Sequence, residues 1–284
     1  MTRTKAAHSE FSENHLIFFG EGRYLLGAFL RKVLAHPLTA AIDLDDPRTS
    51  ALRRRIIASK PFLMSIYDEW YTLLAANLPA EPKGPVLEIG SGAGHCSKFV
   101  PDLITSEVFC CREVSIVLDA RQLPFESGSL RAIVMTNVLH HVPEVARFLS
   151  EASRCLRAGG RILMVEPWVT SWSKFVYTHL HHEPFDPDAR DWSFASNGPL
   201  TGANGAIPWI LFVRDRKEFE SRFPELAIEQ VRPFLPFRYL LSGGVSMRSL
   251  MPGFLHGACA GFEGLLKSRW PTIGMFALVS LSRR

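Results

Sequence analysis

A strand followed by a glycine-rich turn and a short helix is predicted in the segment VLEIGSGAGHCSKFV, at residues 86–100. Glycine lets the backbone adopt positive φ and approach a ligand closely, and a helix N-terminus presents N–H donors that lack partners. The turn at Gly90, Gly92 and Gly94 therefore predicts a site for a negatively charged or carboxylate-bearing group, or for a nucleoside. A dinucleotide fingerprint would need a glycine at His95, and a Walker loop would need a lysine directly after a glycine, so both are disfavoured.

The apolar runs that follow predict an α/β fold with a sheet covered on both faces. Five runs are separated by turn residues and helices in a βαβ rhythm: VLEI, ITSEVF, SIVLD, AIVMTN and RILMVE. They are continuous rather than alternating, which is typical of strands buried on both sides. A helix is predicted over EVARFLSEASRCLRAGG, with Gly159 and Gly160 as its C-terminal stop. Strands in LAIEQVRPF and TIGMFALVSLS, with a helix at DRKEFESRF, are expected to complete the domain.

The chain divides into a predicted N-terminal helical cap at residues 1–84 and a core at 85–284, with an insertion at about 167–213. Apolar residues fall at helical spacing between Leu25 and Leu34, and Pro61 can begin a second helix that ends before Pro79. In that second helix, the neighbours Tyr67 and Trp70 either cover a ligand pocket or pack in the core.

Composition excludes several classes of protein. Of 284 residues, 47% are hydrophobic and 21% charged, which is ordinary globular usage and argues against a fibrous or disordered chain. The net charge of +4 is too small to indicate a nucleic-acid partner. Five cysteines without a CxxC pair suit neither a disulfide framework nor a four-cysteine zinc site, so we expect a cytoplasmic protein. No apolar run approaches the roughly 20 residues of a membrane-spanning helix.

Several motifs, in order along the chain, resemble those of one enzyme family. EIGSGAG after a strand resembles the first motif of the class I S-adenosylmethionine-dependent methyltransferases, and DARQLPFESGSLRAIVMTNVLHHV and LRAGGRILMVEPW resemble later motifs of its small-molecule, type 11-like branch. Segments from DLDDPRTSALRRRIIASKPFLMSIYDEWY to PFLPFRYLLSGG resemble a bacterial subfamily, so that the resemblance covers about residues 37–284. It implies a Rossmann-like class I methyltransferase sheet, mostly parallel with an antiparallel last strand, an N-terminal helical cap, and S-adenosylmethionine as cofactor.

The resemblance also implies which residues bind the cofactor. They are Glu88, Gly90, Ser91, Gly92, Gly94, Glu107, Asp119, Ala120 and Asn137. Glu107, after the second strand, would bind both ribose hydroxyls, because one carboxylate can accept two charge-assisted hydrogen bonds. Asp119 and the Ala120 amide would meet the adenine. Glu88 would either brace the loop or attract the cofactor's ammonium group, and Asn137 would either hold the methionine end or cap its strand.

Catalytic residues are harder to identify, since methyl transfer depends mainly on alignment and exclusion of water and a strong base is optional. If a base is used, histidine is the side chain whose pKa lies nearest neutrality. The catalytic candidates are His181 and His182, whose segment HHEPFDP is predicted to return across the carboxyl edge of the sheet, and His141 after the fourth strand. His179 and His256 are further candidates. We expect no metal site. HHEPFD could be read as a metal cluster, but adjacent histidines on an extended segment point to opposite sides, and the resemblance implies no such ion.

The sequence thus predicts transfer of a methyl group to an oxygen or carbon of a small hydrophobic or anionic metabolite. A non-catalytic methyltransferase-like partner subunit remains an alternative, and a nicotinamide-dependent reductase a weaker one. From Val231 onward, seven side chains are basic and Glu263 is the single acidic one. The N-terminal helices and the segment 234–256 combine large hydrophobic residues with arginines. They are expected either to form an apolar acceptor pocket with a basic rim, with a peripheral membrane contact as one version, or to be a packed helical cap with a solvated basic face.

Overall fold

The computed structural model describes residues 35–37, 46, 48–92, 94–111, 114–181, 183–196, 198 and 201–284. The helical pattern predicted between residues 25 and 34 lies outside these ranges. Helix α1 spans Arg48–Ser59, and α2 spans Pro61–Ala76 with Pro61 at its first turn, as the sequence predicts. The division at residue 84 stays a prediction.

A seven-stranded sheet forms the centre of the molecule. The strands are β1 (Val86–Ile89), β2 (Leu103–Glu107), β3 (Ile116–Val117), β4 (Leu130–Thr136), β5 (Leu156–Pro167), β6 (Leu226–Phe234) and β7 (Phe276–Arg283). Their order is β3-β2-β1-β4-β5-β7-β6, with β1 to β5 parallel and β7 antiparallel to both β5 and β6. The predicted mostly parallel sheet with an antiparallel last strand is confirmed.

Strand order places a crevice between β1 and β4. From β1 the chain proceeds to β2 and β3 on one side, and then crosses back to β4 and β5 on the other. Ligands collect where the order reverses in this way, at the carboxyl ends of the strands. The glycine turn follows β1, so it opens into this crevice.

Both faces of the sheet are covered, as the continuous apolar strands predict. Leu87 and Ile133 pack into one core with helix α3 (Val145–Cys155), whereas Val86 and Val134 pack into a second core with α2. Successive strand residues point to opposite faces, so each strand contributes to both cores.

The remaining helices lie in the second half of the chain. They are α4 (Ser171–Leu180), α5 (Ile207–Trp209), α6 (Arg216–Arg222), α7 (Arg238–Ser242), α8 (His256–Leu265) and α9 (Trp270–Ile273). Short 3-10 helices cover Cys96–Lys98, Leu139–His141, Gly253–Leu255 and Lys267–Arg269, and a short π-helix covers Ile210–Arg214. No helix among the described residues is both long and apolar enough to cross a membrane.

One predicted boundary is wrong. Helix α3 ends at Cys155, and the residues up to Gly160 belong to β5. Leu156 pairs with Leu130 of β4, and the register shifts before Arg161 pairs with Ala132. Pairing with the neighbouring strand therefore ends the helix several residues before the glycines.

Candidate active site

The glycine turn is held against strand β2. The Ser91 amide donates to the Ser106 carbonyl at 2.8 Å, and the Ser106 amide donates to the Ser91 hydroxyl at 3.0 Å. Gly90 and Gly92 have φ of +66° and +40°, and a Cβ on Gly90 would lie 2.5 Å from the Val138 side chain. Such positive φ with so close a neighbour requires glycine. Gly90, Ser91 and Gly92 line a cavity at the carboxyl edge of the sheet.

Glu107, at the end of β2, faces this turn across the cavity wall. Its Oε1 accepts from the Gly92 amide at 2.7 Å, and its Oε2 accepts from the Val108 amide at 3.1 Å. Burial raises the pKa of its carboxyl group, although both amides oppose the shift. Each oxygen keeps acceptor capacity beyond one amide, so the carboxylate can still take the hydroxyls of a sugar. Its ribose role stays a prediction.

Asp119 and Ala120 follow β3 and line the same cavity. The Asp119 carboxylate forms a bidentate pair with Arg121, whose Nη2 lies 2.7 Å from Oδ2 and whose Nε lies 3.0 Å from Oδ1. The guanidinium holds the pKa of Asp119 below its usual range. A ligand at Asp119 must share the carboxylate with this arginine, which the sequence analysis did not foresee.

Two of the predicted cofactor residues do not line the cavity. Glu88 is buried beneath the turn, beside the Ser91 hydroxyl and the Cys96 thiol, and burial raises its pKa to about 8. Its position favours the loop-bracing alternative. The Gly94 amide donates to the Ser91 carbonyl at 2.5 Å, and this bond closes the turn behind the cavity.

Asn137 leaves β4 in the left-handed region, with φ of +57°. Its amide donates to the Val165 carbonyl at 2.9 Å, and its side chain is hydrogen-bonded to the Tyr67 hydroxyl. Both residues line the cavity, whereas Trp70 is fully buried in the core. The buried hydroxyl of neighbouring Thr136 has no hydrogen-bond partner among the described residues and also lines the cavity, so it is available to a polar ligand.

The next turn carries a buried histidine that is held by an acid from β5. His140 Nδ1 lies 2.6 Å from Glu166 Oε2, and Glu166 Oε1 accepts from the Val138 and Leu139 amides at 2.8 Å each. Glu166 is 0% exposed and His140 is 2% exposed. Glu166 was not among the residues predicted from the sequence. The feature that could have identified it is a single acidic residue at the carboxyl end of an otherwise apolar strand.

His141 and Glu183 complete this cluster. His141 Nδ1 donates to the Gly202 carbonyl at 3.2 Å. The two oxygens of Glu183 lie 3.6 Å from His140 Nε2 and 3.6 Å from His141 Nε2. His181 lines the cavity nearby and accepts at Nδ1 from the Glu183 amide at 3.2 Å. His182 lies outside the described residues, and its catalytic role stays a prediction.

The charges in the cluster are strongly coupled. Burial would lower the pKa of His140, but the carboxylates of Glu166 and Glu183 outweigh it and raise the pKa to about 9. Burial and the neighbouring His140 charge lower the pKa of His141 to about 3. Burial opposes ionisation of Glu183, yet the histidines hold its pKa well below its usual range. At neutral pH the cluster therefore contains a charged His140 imidazole, a neutral His141 imidazole and an ionised Glu183 carboxylate.

Both groups of residues face one cavity of about 1060 Å³. Its apolar wall includes Ile56, Ile57, Tyr177, Leu180, Phe185, Tyr239, Val245, Met247 and Phe276. Arg53 from α1 also lines it, and no sequence signal separated this arginine from its neighbours at 54 and 55. His179 lies elsewhere, with Nδ1 donating to the Phe175 carbonyl at 2.8 Å. His256 is likewise outside the cavity, with Nε2 at 2.8 Å from Arg238.

Comparison with known proteins identifies the domain. Residues 87–164 match the model of a family described as a methyltransferase domain. The demethylmenaquinone methyltransferase of Beutenbergia cavernae is 28% identical over 120 residues, which are 37% of this chain and 50% of that protein. The ubiquinone/menaquinone biosynthesis C-methyltransferase of Rhizobium johnstonii is 44% identical over 48 residues, which are 17% of this chain and 19% of that protein. The matched stretches span between 14% and 50% of the three curated relatives.

Among solved structures, geranyl diphosphate C-methyltransferase from Streptomyces coelicolor A3(2) is similar, with 16% identity, a TM-score of 0.49, and coverage of 88% of this chain and 90% of that one. The cavity fits the cofactor of the matched family, because Gly90 and Gly92 leave room for close approach and the Thr136 hydroxyl and Glu107 carboxylate offer polar partners. Residues 87–164 therefore form an S-adenosylmethionine-dependent methyltransferase domain of the class I type, and S-adenosylmethionine is the cofactor of this domain.

Proposed function

We propose that this chain transfers the methyl group of S-adenosylmethionine to a small acceptor bound in the same cavity. The observation that carries the proposal is that one cavity is lined both by the cofactor residues and by the cluster of His140, His141 and Glu183. Its volume of about 1060 Å³ is at the upper limit of ligand pockets, which span about 300 to 1,000 Å³. It therefore has room for a second ligand beside the cofactor.

The acceptor that suits this cavity has an apolar body and one acidic oxygen or carbon. Aromatic and aliphatic side chains form much of the wall, and the histidine cluster offers polar groups beside them. Two relatives are named for methylation of demethylmenaquinone and in ubiquinone/menaquinone biosynthesis. We therefore favour a reduced quinone or a similar hydroxylated ring, methylated at carbon, with methylation at oxygen as the second outcome.

The chain's residues would position the two reactants and accept a proton. Bound S-adenosylmethionine supplies a methyl group on a sulfonium, which leaves with the electron pair of its bond remaining on sulfur. Gly90, Gly92, Glu107 and Asp119 would hold the cofactor, and the apolar wall would exclude water from the acceptor. A carboxylate oxygen of Glu183 would accept the acceptor's proton, and the charged imidazole beside it would stabilise the carboxylate beforehand.

A turnover assay tests the proposed function. The protein is incubated with S-adenosylmethionine and reduced naphthoquinones that lack a ring methyl group, and products are analysed by mass spectrometry. We expect S-adenosylhomocysteine and methylated acceptor in equal amounts. Tight cofactor binding without turnover of quinols, hydroxylated aromatics or other apolar acceptors would favour the non-catalytic subunit instead.

Cofactor binding should depend on Asp119 and on the glycine turn. Asp119→Ala removes a charge-assisted partner, and should weaken S-adenosylmethionine binding by about 1 to 3 kcal/mol, or roughly 10- to 100-fold in Kd. Gly92→Val should obstruct the cofactor more severely, because Gly92 has φ of +40° and already lies against Glu107. Calorimetry measures both variants. Asp188→Ala, at an acid whose side chain is 86% exposed, is the control, and unchanged binding in both test variants would contradict the assignment.

We also propose that the chain works in the cytoplasm in peripheral contact with an anionic membrane surface. Four large apolar side chains near α8 are exposed: Leu250 by 52%, Phe254 by 84%, Phe262 by 58% and Leu265 by 82%. Lys267 and Arg269 follow them, whereas the acidic Glu263 is buried against Arg238. Apolar side chains beside basic ones favour the headgroup region of anionic lipids.

Flotation with vesicles containing phosphatidylglycerol tests this contact. We expect wild-type protein to float with anionic vesicles at low salt and less at high salt, because surface charge is screened. The double variant Phe254→Ser/Leu265→Ser should remain in the soluble fraction. Phe175→Ser, at another exposed phenylalanine, is the matched control. Equal flotation of the double variant and the wild type would count against this surface.

A further inference from the structure

The cluster of His140, His141 and Glu183 has the geometry of a metal site. His140 and His141 lie on one 3-10 turn after β4, and Glu183 follows α4. One ligand atom from each lies within 4.8 Å of the others. We propose that these three side chains bind one divalent cation of the Zn²⁺ type. Two imidazoles with one carboxylate form a donor set that suits such ions.

The two histidines are adjacent but do not diverge. Adjacent histidines on an extended segment point to opposite sides, and for that reason we expected no metal at His181 and His182. His140 and His141 lie instead on a tight turn, which brings their imidazole centroids to 4.3 Å. The proposed site therefore departs from the expectation that the chain binds no metal.

Hydrogen bonds fix which nitrogen of each imidazole faces Glu183. A carbonyl oxygen can only accept, so His141 Nδ1 carries the hydrogen in its 3.2 Å contact with the Gly202 carbonyl. His140 Nδ1 lies 2.6 Å from Glu166, whose other oxygen is occupied by two backbone amides. In both rings Nε2 faces the carboxylate of Glu183, and a bound cation would displace the proton that the charged His140 ring carries there. Metal-binding histidines are oriented in the same way, by a carboxylate or a carbonyl on the other nitrogen.

The spacing leaves room for an ion. Two ligand atoms about 2.1 Å from a tetrahedral ion lie about 3.4 Å apart, and each Nε2 lies 3.6 Å from an oxygen of Glu183. The two nitrogen–oxygen distances therefore match coordination by one ion, and all three ligand atoms lie within 4.8 Å of one another. Because His141 Nδ1 carries the hydrogen toward the Gly202 carbonyl, Nε2 can present its electron pair to a cation beside the carboxylate of Glu183.

The site would also remain open on one side. All three residues line the cavity, and their side chains are between 2% and 19% exposed. Three protein ligands leave a further coordination position for water or substrate, as in catalytic zinc sites. The substrate that fits this open position is therefore a methyl acceptor that can bind the cation through one hydroxyl or carbonyl oxygen. This assignment of the acceptor rests on the proposed function, whereas cation binding itself does not.

Cation binding is tested on the whole chain without any acceptor. Chelator-treated protein is titrated with Co²⁺ by visible absorption and with Zn²⁺ by calorimetry. We expect one equivalent of each, with the visible bands of a four- or five-coordinate Co²⁺ ion. His141→Ala and Glu183→Gln should each weaken binding by more than about 100-fold, since loss of an outer partner alone costs about 10- to 100-fold. Glu166→Gln removes such an outer partner and should weaken Co²⁺ binding by only about 10- to 100-fold.

Controls separate loss of the site from loss of the fold. His179→Ala removes a histidine outside the cavity and should bind Co²⁺ as the wild type does. S-adenosylmethionine calorimetry reports folding of each variant, and His141→Gln replaces the alanine variant if that fails to fold. Absence of a stoichiometric Co²⁺ spectrum in the wild type, or equal binding in the folded variants, would overturn the proposal. Stoichiometric binding without methyl transfer would refute the function while leaving the site intact.

Discussion

Replacing Glu183 by Gln should lower turnover about 100-fold or more while leaving S-adenosylmethionine affinity nearly unchanged. The Glu183 carboxylate lies 3.6 Å from Nε2 of both His140 and His141, and glutamine has nearly the same shape but no charge. The amide can neither accept the acceptor's proton nor hold a cation, and general base groups contribute about 10² to 10⁴ in rate. Single-turnover kinetics with a reduced quinone measures the effect.

The pH profile gives a second readout for the same residue. The histidines hold the pKa of Glu183 well below its usual range, while that of His141 is about 3 and that of His140 about 9. None of these three groups titrates near pH 6.5, so in metal-free protein their protonation should leave the wild-type rate flat across that pH. His179→Ala should match the wild type. Turnover of Glu183→Gln within a few-fold of wild type would leave alignment as the source of catalysis.

Replacing Glu166 by Ala should destabilise the protein by about 3 to 5 kcal/mol. Glu166 is fully buried, accepts from the Val138 and Leu139 amides, and lies 2.6 Å from His140 Nδ1. Its removal leaves two buried amide donors and a buried charged imidazole without their acceptor. Removing one partner of a buried pair costs more free energy than replacing both, because the remaining charge stays buried and uncompensated. Denaturant unfolding at constant pH gives the free energy of unfolding. Glu220→Ala, in an exposed helical pair, should change it by less than about 1 kcal/mol.

In chelator-treated, metal-free protein the stabilisation from His140 should vanish at alkaline pH. Its folded pKa of about 9 lies above the ordinary value of 6.5, so the folded state binds its proton more tightly. The contribution is fully present below about pH 6.5 and is lost as pH rises through about 9, with a size of about 3 kcal/mol. The difference in unfolding free energy between wild type and Glu166→Gln should therefore shrink over this range. A difference independent of pH would contradict a charged His140.

Much of the cofactor end could be predicted because its signals are local. Positive φ at Gly90 and Gly92 and the close contact with Val138 select glycine directly, so the need for a tight turn is visible in the sequence. Glu107 and Asp119 each follow a strand, and parallel strands end at one edge of the sheet. Both line the cavity, although the Arg121 partner of Asp119 was not predicted.

The end of α3 shows where local pattern was insufficient. Its apolar face is visible in the sequence, and Gly159 and Gly160 are good helix stops. The chain nevertheless turns into β5 at Leu156, because pairing with Leu130 satisfies its backbone there. Strand pairing joins residues distant in sequence, and no helix propensity or stop signal reports it.

The strands, the glycine turn, the resemblance to methyltransferases and the cofactor could be predicted from the sequence, since each depends on residue types within a short window. The contacts around His140, His141 and Glu183 depend instead on how separate elements pack. Glu166 meets His140 because β5 lies beside β4, with Val165 opposite Thr136. Glu183 meets both histidines because the chain after α4 returns across the carboxyl edge of the sheet. Such contacts arise from the packing of separate elements. The free energy that holds these elements together comes from close packing throughout the two cores, so the sequence next to each residue does not predict the contact.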